Sequence, residues 1–319
     1  MMQLSEITLF LPQVPQFLQG LRILFFSDMH TRGFGKREKQ LKEFMTQPCD
    51  MLLCCGDSCF EPTLRFWKSG EQNNRPKSLT DKEHSFWQPK TDKALAVWKK
   101  LLEGFDCGLG VYAVQGNHDP QAFIVELTRM PVTVLSNECR QIELPGGGKF
   151  NLCGISCASR TQADVPQTLL GIQPGLFTLG ICHFPEKAEA LALAGVDLIL
   201  CGHTHGGQIC LPTGKALMTH SQIGQKYVSG LTRIGQSVVY TTRGMGATFV
   251  PVRLFCPAEV VRITLHQGSY EQSNIKTIKT ITLEIVKSNS ILNKPNSQQE
   301  SCEKMFAKEF EWIREKYRC

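Results

Sequence analysis

Residues 21–30 read LRILFFSDMH and residues 51–57 read MLLCCGD. Each is a short, unbroken apolar run that stops on a carboxylate. The same pattern recurs at 110–119 (GVYAVQGNHD), 177–183 (FTLGICH) and 197–205 (DLILCGHTH), so five strand-sized apolar runs each end in polar side chains of ligand type. Between some of them lie segments with helical spacing, at 36–47 (Leu41, Phe44 and Met45 on one face), 91–103, 121–129 and 186–194. Continuous apolar strands alternating with helices predict an α/β fold whose sheet is covered on both faces. In such sheets a site forms beyond the carboxyl ends of the strands, which is where these clusters fall.

The clusters are Asp28-x-His30, Gly56-Asp57, Gly116-Asn117-His118-Asp119, His183 and Gly202-His203-x-His205, and they hold five of the eight histidines. Carboxylate oxygen and imidazole nitrogen suit Mn, Fe and Zn without thiolate help. A pair of such ions roughly 3.5–4 Å apart clamps the attacking and leaving oxygens of an in-line displacement. The pair needs a bridging carboxylate, for which Asp57 on the middle strand is the candidate. Residues i and i+2 of an extended segment project to one side, so Asp28 and His30 can reach one ion. His203 and His205 share that geometry, though they can also split between ions. Singly, each motif is weak. An isolated Asp-x-His is usually a solvated turn, Gly-Asn-His-Asp a plain turn, and His183 a satisfied core histidine. Their joint occurrence at strand ends favours the metal reading.

In order and spacing the five motifs resemble those of the calcineurin-like metallophosphoesterases, over residues 21–265. The resemblance implies a four-layer α/β/β/α sandwich with two central mixed sheets and the site at the loops of one edge. It implies that Asp28, His30, Asp57 and His205 hold one divalent ion. Asp57, Asn117, His183 and His203 hold the second. His118 is then a non-ligand proton donor or transition-state stabiliser, with Asp119 orienting its ring. The nucleophile is a water activated by the two metal ions, with manganese expected and iron or zinc also fitting the ligands.

The run from His203 to Gln208 with Pro212, Arg243-Gly244-Met245-Gly246, Pro251-x-Arg253 and Cys256-Pro257-x-Glu259 resemble a bacterial subgroup of the YkuE and YaeI type. One branch cleaves the pyrophosphate of UDP-2,3-diacylglucosamine to UMP and lipid X in lipid A synthesis. That branch makes an anionic, lipid-linked substrate the first expectation. The rivals are a generic or cyclic-nucleotide phosphodiesterase, and a non-catalytic scaffold on the same fold. Intact ligand positions favour the enzyme. Arg243 reads either as a contact to substrate phosphate or as a loop buttress. Where many relatives carry an acid after the second motif, this chain has Phe60.

Composition sets the remaining expectations. The 319 residues are 42% hydrophobic and 20% charged, an ordinary globular balance. The net charge of +6 suits an anionic substrate or membrane surface, but no dense basic stripe predicts nucleic acid. Fourteen cysteines show no paired zinc spacing, and Cys54, Cys55, Cys182 and Cys201 sit in apolar runs as small hydrophobes. No signal peptide or membrane anchor is evident, so the expected location is the cytoplasm, with any membrane contact peripheral at the inner face. A metallophosphoesterase domain is expected over 1–267. Within it, 59–92 is a basic, aromatic insertion, and Thr91 or Asp92 caps the helix that follows. Residues 268–319 read as an extension, with an edge strand in 274–286 and an amphipathic helix at 299–318.

Overall fold

The structure is a computed structural model that describes residues 2–60, 81–159, 162–219, 221–248, 251–276 and 284–285. Contacts divide the chain into a unit over Met1–Glu284 and a second from Ile285 to Cys319. The second lies almost wholly outside the described residues, as do the expected helix at 299–318 and most of the 59–92 insertion.

The strands in chain order are β1 (Gln3–Leu11), β2 (Arg22–Phe26), β3 (Met51–Cys54), β4 (Val111–Val114), β5 (Thr133–Leu135), β6 (Glu138–Glu143), β7 (Lys149–Ile155), β8 (Thr178–Cys182), β9 (Leu198–Cys201), β10 (Gly230–Ile234), β11 (Ser237–Thr241), β12 (Val252–Arg253), β13 (Glu259–Gln267) and β14 (Asn274–Lys276). The helices are α1 (Lys36–Met45), α2 (Asp81–Leu102), α3 (Gln121–Leu127), α4 (Val165–Leu169) and α5 (Ala188–Leu193). Two sheets form. One has seven strands in the order β14-β1-β13-β2-β3-β4-β5, the other six in the order β10-β11-β9-β8-β7-β6. Both are mixed. The run β2-β3-β4-β5 is parallel, as is β7-β8-β9-β11, with antiparallel neighbours outside them.

The side-chain alternation of a strand makes the layers. In β2, Ile23 and Phe25 enter the core between the sheets, while Leu24 and Phe26 enter a second core beneath the helices. In β3, Met51 and Leu53 point inward, and Leu52 and Cys54 outward. Leu41 and Met45 of α1, Trp98 and Leu101 of α2, and Phe123 and Leu127 of α3 close that outer layer. On the other sheet Leu198 and Leu200 of β9 face the first sheet, and Ile199 and Cys201 pack with Val165 of α4 and Leu191 of α5. The result is the expected α/β/β/α stack. Burying one such side chain contributes roughly 1.5–3 kcal/mol, which is why every residue of β3, β8 and β9 is buried.

One expectation changes. The helix expected at 91–103 begins at Asp81 and carries Pro89 inside it. Thr91 is therefore a buried helix residue and not a cap. A proline forfeits one backbone bond and clashes with the preceding turn, and here the apolar face Ala94, Val97, Trp98 and Leu101 anchors the helix against the sheet. The strand β1 precedes the five motif-bearing runs, and it pairs in parallel with β13, Gln3 opposite Glu259. Of the edge strand expected in 274–286, Asn274–Lys276 form β14, antiparallel on β1, while 277–283 and 286 lie outside the described residues. No helix of the described residues is long and apolar enough to cross a membrane.

Candidate metal centre

The loops that follow β2, β3 and β4 in one sheet and β8, β9 and β11 in the other meet at the carboxyl ends of the parallel strands. Asp28, His30, Asp57, His183 and His205 are all at least 98% shielded there. The backbone is strained where these side chains leave it. Asp28, His30, Asp57, His203 and His205 have φ of 53°, 41°, 56°, 71° and 52°, in the left-handed region. Each such residue costs on the order of 1–3 kcal/mol and persists only where its surroundings over-determine it.

Two groups of ligand atoms form, Asp28 with His30 and His205, and Asp57 with His183 and His203. In the first, His205 Nε2 lies 3.4 Å from Asp28 Oδ1 and 3.3 Å from His30 Nε2. In the second, His183 Nε2 lies 3.1 Å from Asp57 Oδ2 and 3.0 Å from Asn117 Oδ1. Asp57 Oδ2 also stands 3.7 Å from His30 Nε2, so one oxygen faces both groups.

These atoms fit cations. His30 Nδ1 lies 3.1 Å from Cys59 O and His183 Nδ1 2.7 Å from Cys55 O. A carbonyl only accepts, so both rings donate from Nδ1, and Nε2 of each neutral ring presents a lone pair. At His183 that lone pair faces the oxygens of Asp57 and Asn117. Three acceptors within hydrogen-bond range repel unless a proton or a cation sits among them. Asp28 Oδ1 is buried without a hydrogen-bond partner, a costly state for a carboxylate oxygen that a cation would relieve. The titration shifts agree. Burial works against protonation of His183, yet Asp57 beside it pushes its pKa up to about 10. Burial works upward on Asp57, but His183, His118 and His30 hold it well below the usual carboxylate range. Burial brings His30 down to about 3 and Asp28 up to about 6.

Tight packing builds the rest. A Cβ on Gly202 would lie 2.7 Å from Asp28 Oδ2, so only glycine lets that loop pass the carboxylate. Ser58 accepts from Trp98 Nε1 at 3.0 Å, tying the Asp57 loop to α2. Glu38 accepts from Thr31 Oγ1 and Gly35 N, tying the His30 loop to α1.

His118 stands at the rim, its side chain 21% exposed and its Nε2 4.0 Å from Asp57 Oδ2. Its main-chain N donates to Asp57 Oδ1 at 2.7 Å. Asp119, the next residue, is buried. Its Oδ2 accepts from the amides of Asp57 and Gly116, and its Oδ1 from the amide of Cys59. Three main-chain donors explain why it is buried, and they make it the clamp between the second and third motifs. Arg243 has the buttress geometry: Nη2 lies 2.8 Å from Glu259 Oε1 and 3.0 Å from Gln3 Oε1. Among the described residues every cysteine is free, and burial pushes the thiols of Cys54, Cys55 and Cys182 up, as for small hydrophobes.

Two clustered ligand groups at the facing edges of two sheets define a metal-dependent hydrolase centre. The chain belongs to the calcineurin-like phosphoesterase family, which matches residues 21–207, and it is a phosphoester hydrolase of that family. It is 25% identical over 273 residues to the uncharacterized metallophosphoesterase YkuE of Bacillus subtilis, covering 83% of this chain and 86% of that one. It is 33% identical over 134 residues to the phosphodiesterase YaeI of Escherichia coli, covering 42% of this chain and 44% of that one. A zebrafish transmembrane protein with a metallophosphoesterase domain is 24% identical over 270 residues, 80% of this chain and 55% of that one.

Proposed function

We propose that the chain hydrolyses a phosphoanhydride or phosphodiester with two divalent cations that share Asp57, and that the pyrophosphate of UDP-2,3-diacylglucosamine is the substrate. The observation that carries the two-ion reading is Asp57 Oδ2, which faces His183 at 3.1 Å and His30 at 3.7 Å. Asp28, His30 and His205 would complete one ion's ligands, and Asn117, His183 and His203 the other's. Bound there, the ions would polarise phosphoryl oxygens and lower the pKa of water.

The chain's own residues do the rest. His118, partly open to solvent, holds a proton at Nε2 for the leaving oxygen. Asp119 keeps the loops of Asp57 and His118 in register. Burial of the cluster excludes bulk water and strengthens each charge interaction. The lipid-linked substrate rests on the subgroup motifs around His203–Gln208, Arg243–Gly246 and Glu259. Its acyl chains would bring the chain to a membrane surface, and the net charge of +6 suits an anionic one. A second reading, a phosphodiesterase on a soluble diester, is favoured by the name of the Escherichia coli relative.

The test compares UMP release from UDP-2,3-diacylglucosamine with cleavage of bis-p-nitrophenyl phosphate, each with Mn²⁺ and after chelation. Metal-dependent UMP release far outpacing the diester supports the lipid pyrophosphate. Diester cleavage without UMP release keeps the metal mechanism and replaces the substrate.

A further inference from the structure

Arg253 lies on β12, 3% exposed, behind the centre and outside the ligand set. All three of its guanidinium nitrogens donate to main-chain carbonyls. Nε reaches Gly246 O at 2.8 Å. Nη1 reaches His205 O at 3.1 Å and Cys256 O at 3.2 Å. Nη2 reaches Arg243 O at 2.7 Å and Gly244 O at 3.2 Å, with Gly246 O also in contact. Nη2 also stands 3.3 Å from His205 Nδ1. No carboxylate among the described residues is in ion-pair range of it. A buried guanidinium without a carboxylate partner is expensive, and here most of its donors go to backbone that surrounds the ligands, with Cys256 Sγ 3.9 Å from Nη1.

Those carbonyls belong to the 243–246 loop beside Asp28 and His30 and to the loop after β9, which carries His205 of the first group and His203 of the second. His205 is itself a ligand candidate. Met245 N donates to Ser27 O and Gly246 N to Asp28 O. A Cβ on Gly244 would lie 2.7 Å from Asp28 Cβ, and one on Gly246 2.9 Å from His30 Cβ. The loop 243–246 that Arg253 holds is thus packed against Asp28 and His30. The other group has braces of its own, Asp119 on three amides and Cys55 O on His183, and two bonds link the groups, His203 N to Asp28 Oδ2 and His30 N to Asp57 O.

We infer that Arg253 is a positioning residue for the Asp28–His30–His205 group, fixing the three ligands of one ion through their backbone and acting on the Asp57–His183–His203 group only indirectly, through His203. The inference rests on the two-ion reading above. Residues that orient metal ligands typically hold a factor of about 10–100 in metal affinity. Arg253 should hold that factor chiefly for one ion.

The experiment counts Mn²⁺ per chain and measures each ion's affinity in wild type, Arg253→Met, Arg253→Lys, His205→Ala and His183→Ala. Wild type should bind two ions. Arg253→Met should lose the one that His205→Ala loses and keep the one that His183→Ala loses. Arg253→Lys, which keeps charge and bulk but not the fork, should weaken that same ion roughly 10–100-fold. It serves as the readout if Arg253→Met does not fold. Guanidinium added at millimolar concentration to Arg253→Met should restore part of the loss. A merely structural side chain would lower thermal stability without choosing between ions. Variants that keep both ions at wild-type affinity, bind them more tightly, or lose both in parallel overturn the inference. A wild-type chain that binds fewer than two ions overturns the two-ion reading first, and the inference with it.

Discussion

His118 and His183 both approach Asp57 Oδ2, at 4.0 and 3.1 Å, and the proposed mechanism gives their protons opposite fates. His118 is at the rim and contributes no atom to either ligand group. His118→Ala should therefore keep both ions and lower turnover by roughly 10²–10⁴. Kinetics beside an ion count checks this, and loss of metal would make His118 a ligand. His183 is buried against Asp57 with its pKa raised from 6.5 to about 10. In the metal-free chain, the stability from that raised pKa is fully present below 6.5 and is lost as pH rises through about 10. A cation at Nε2 must displace the same proton. Metal affinity should thus climb with pH across this window, with proton release that calorimetry in buffers of different ionisation enthalpy can count. Affinity independent of pH between 7 and 9 would contradict the role given to His183.

At the scale of elements, the strand ends do the assembling. β2, β3 and β9 are buried on both faces and stop where a carboxylate or histidine begins, so the loop geometry is fixed by the sheet. The loop after β9 passes so close to Asp28 that Gly202→Ala forces its Cβ into the Asp28 carboxylate. Overpacking of this kind costs roughly 1–3 kcal/mol. The variant should melt lower and bind one ion more weakly, the Asp28 ion before the Asp57 ion. An unchanged melting temperature would mean that the loop yields more than the packing allows. On the second sheet, burial raises Asp197 to about 6, and its Oδ2 accepts from Thr178 N at 2.7 Å. A raised carboxyl contributes stability below its ordinary 3.8 and loses it as pH rises through about 6. Asp197→Asn should be the more stable protein at pH 8, with the difference vanishing near pH 4 in thermal melts.

Across the whole molecule, the ligands were legible because each follows directly on an apolar run. Asp28, Asp57, His183 and His203 announce themselves at strand ends, and the alternation within LRILFF and MLLCC foretells the cores on either side. What was not legible depends on partners far away in the chain. β1 becomes a strand by pairing with β13 across more than 250 residues, and no local signal marks that. Pro89 reads as a stop signal locally, yet the sheet beneath α2 keeps the helix going. The roles of Asp119 and Arg253 lie in hydrogen bonds to backbone, which leave no trace in residue type. Arg253 stood out only as part of a subgroup motif.

The most direct test of this account is the number of divalent ions per chain in Asp57→Ala beside wild type. Asp57 Oδ2 faces both ligand groups, so wild type should carry two ions and the variant should lose both, together with hydrolysis. A variant that retains two ions, or one that hydrolyses its substrate after metal removal, would contradict the shared carboxylate on which the account stands.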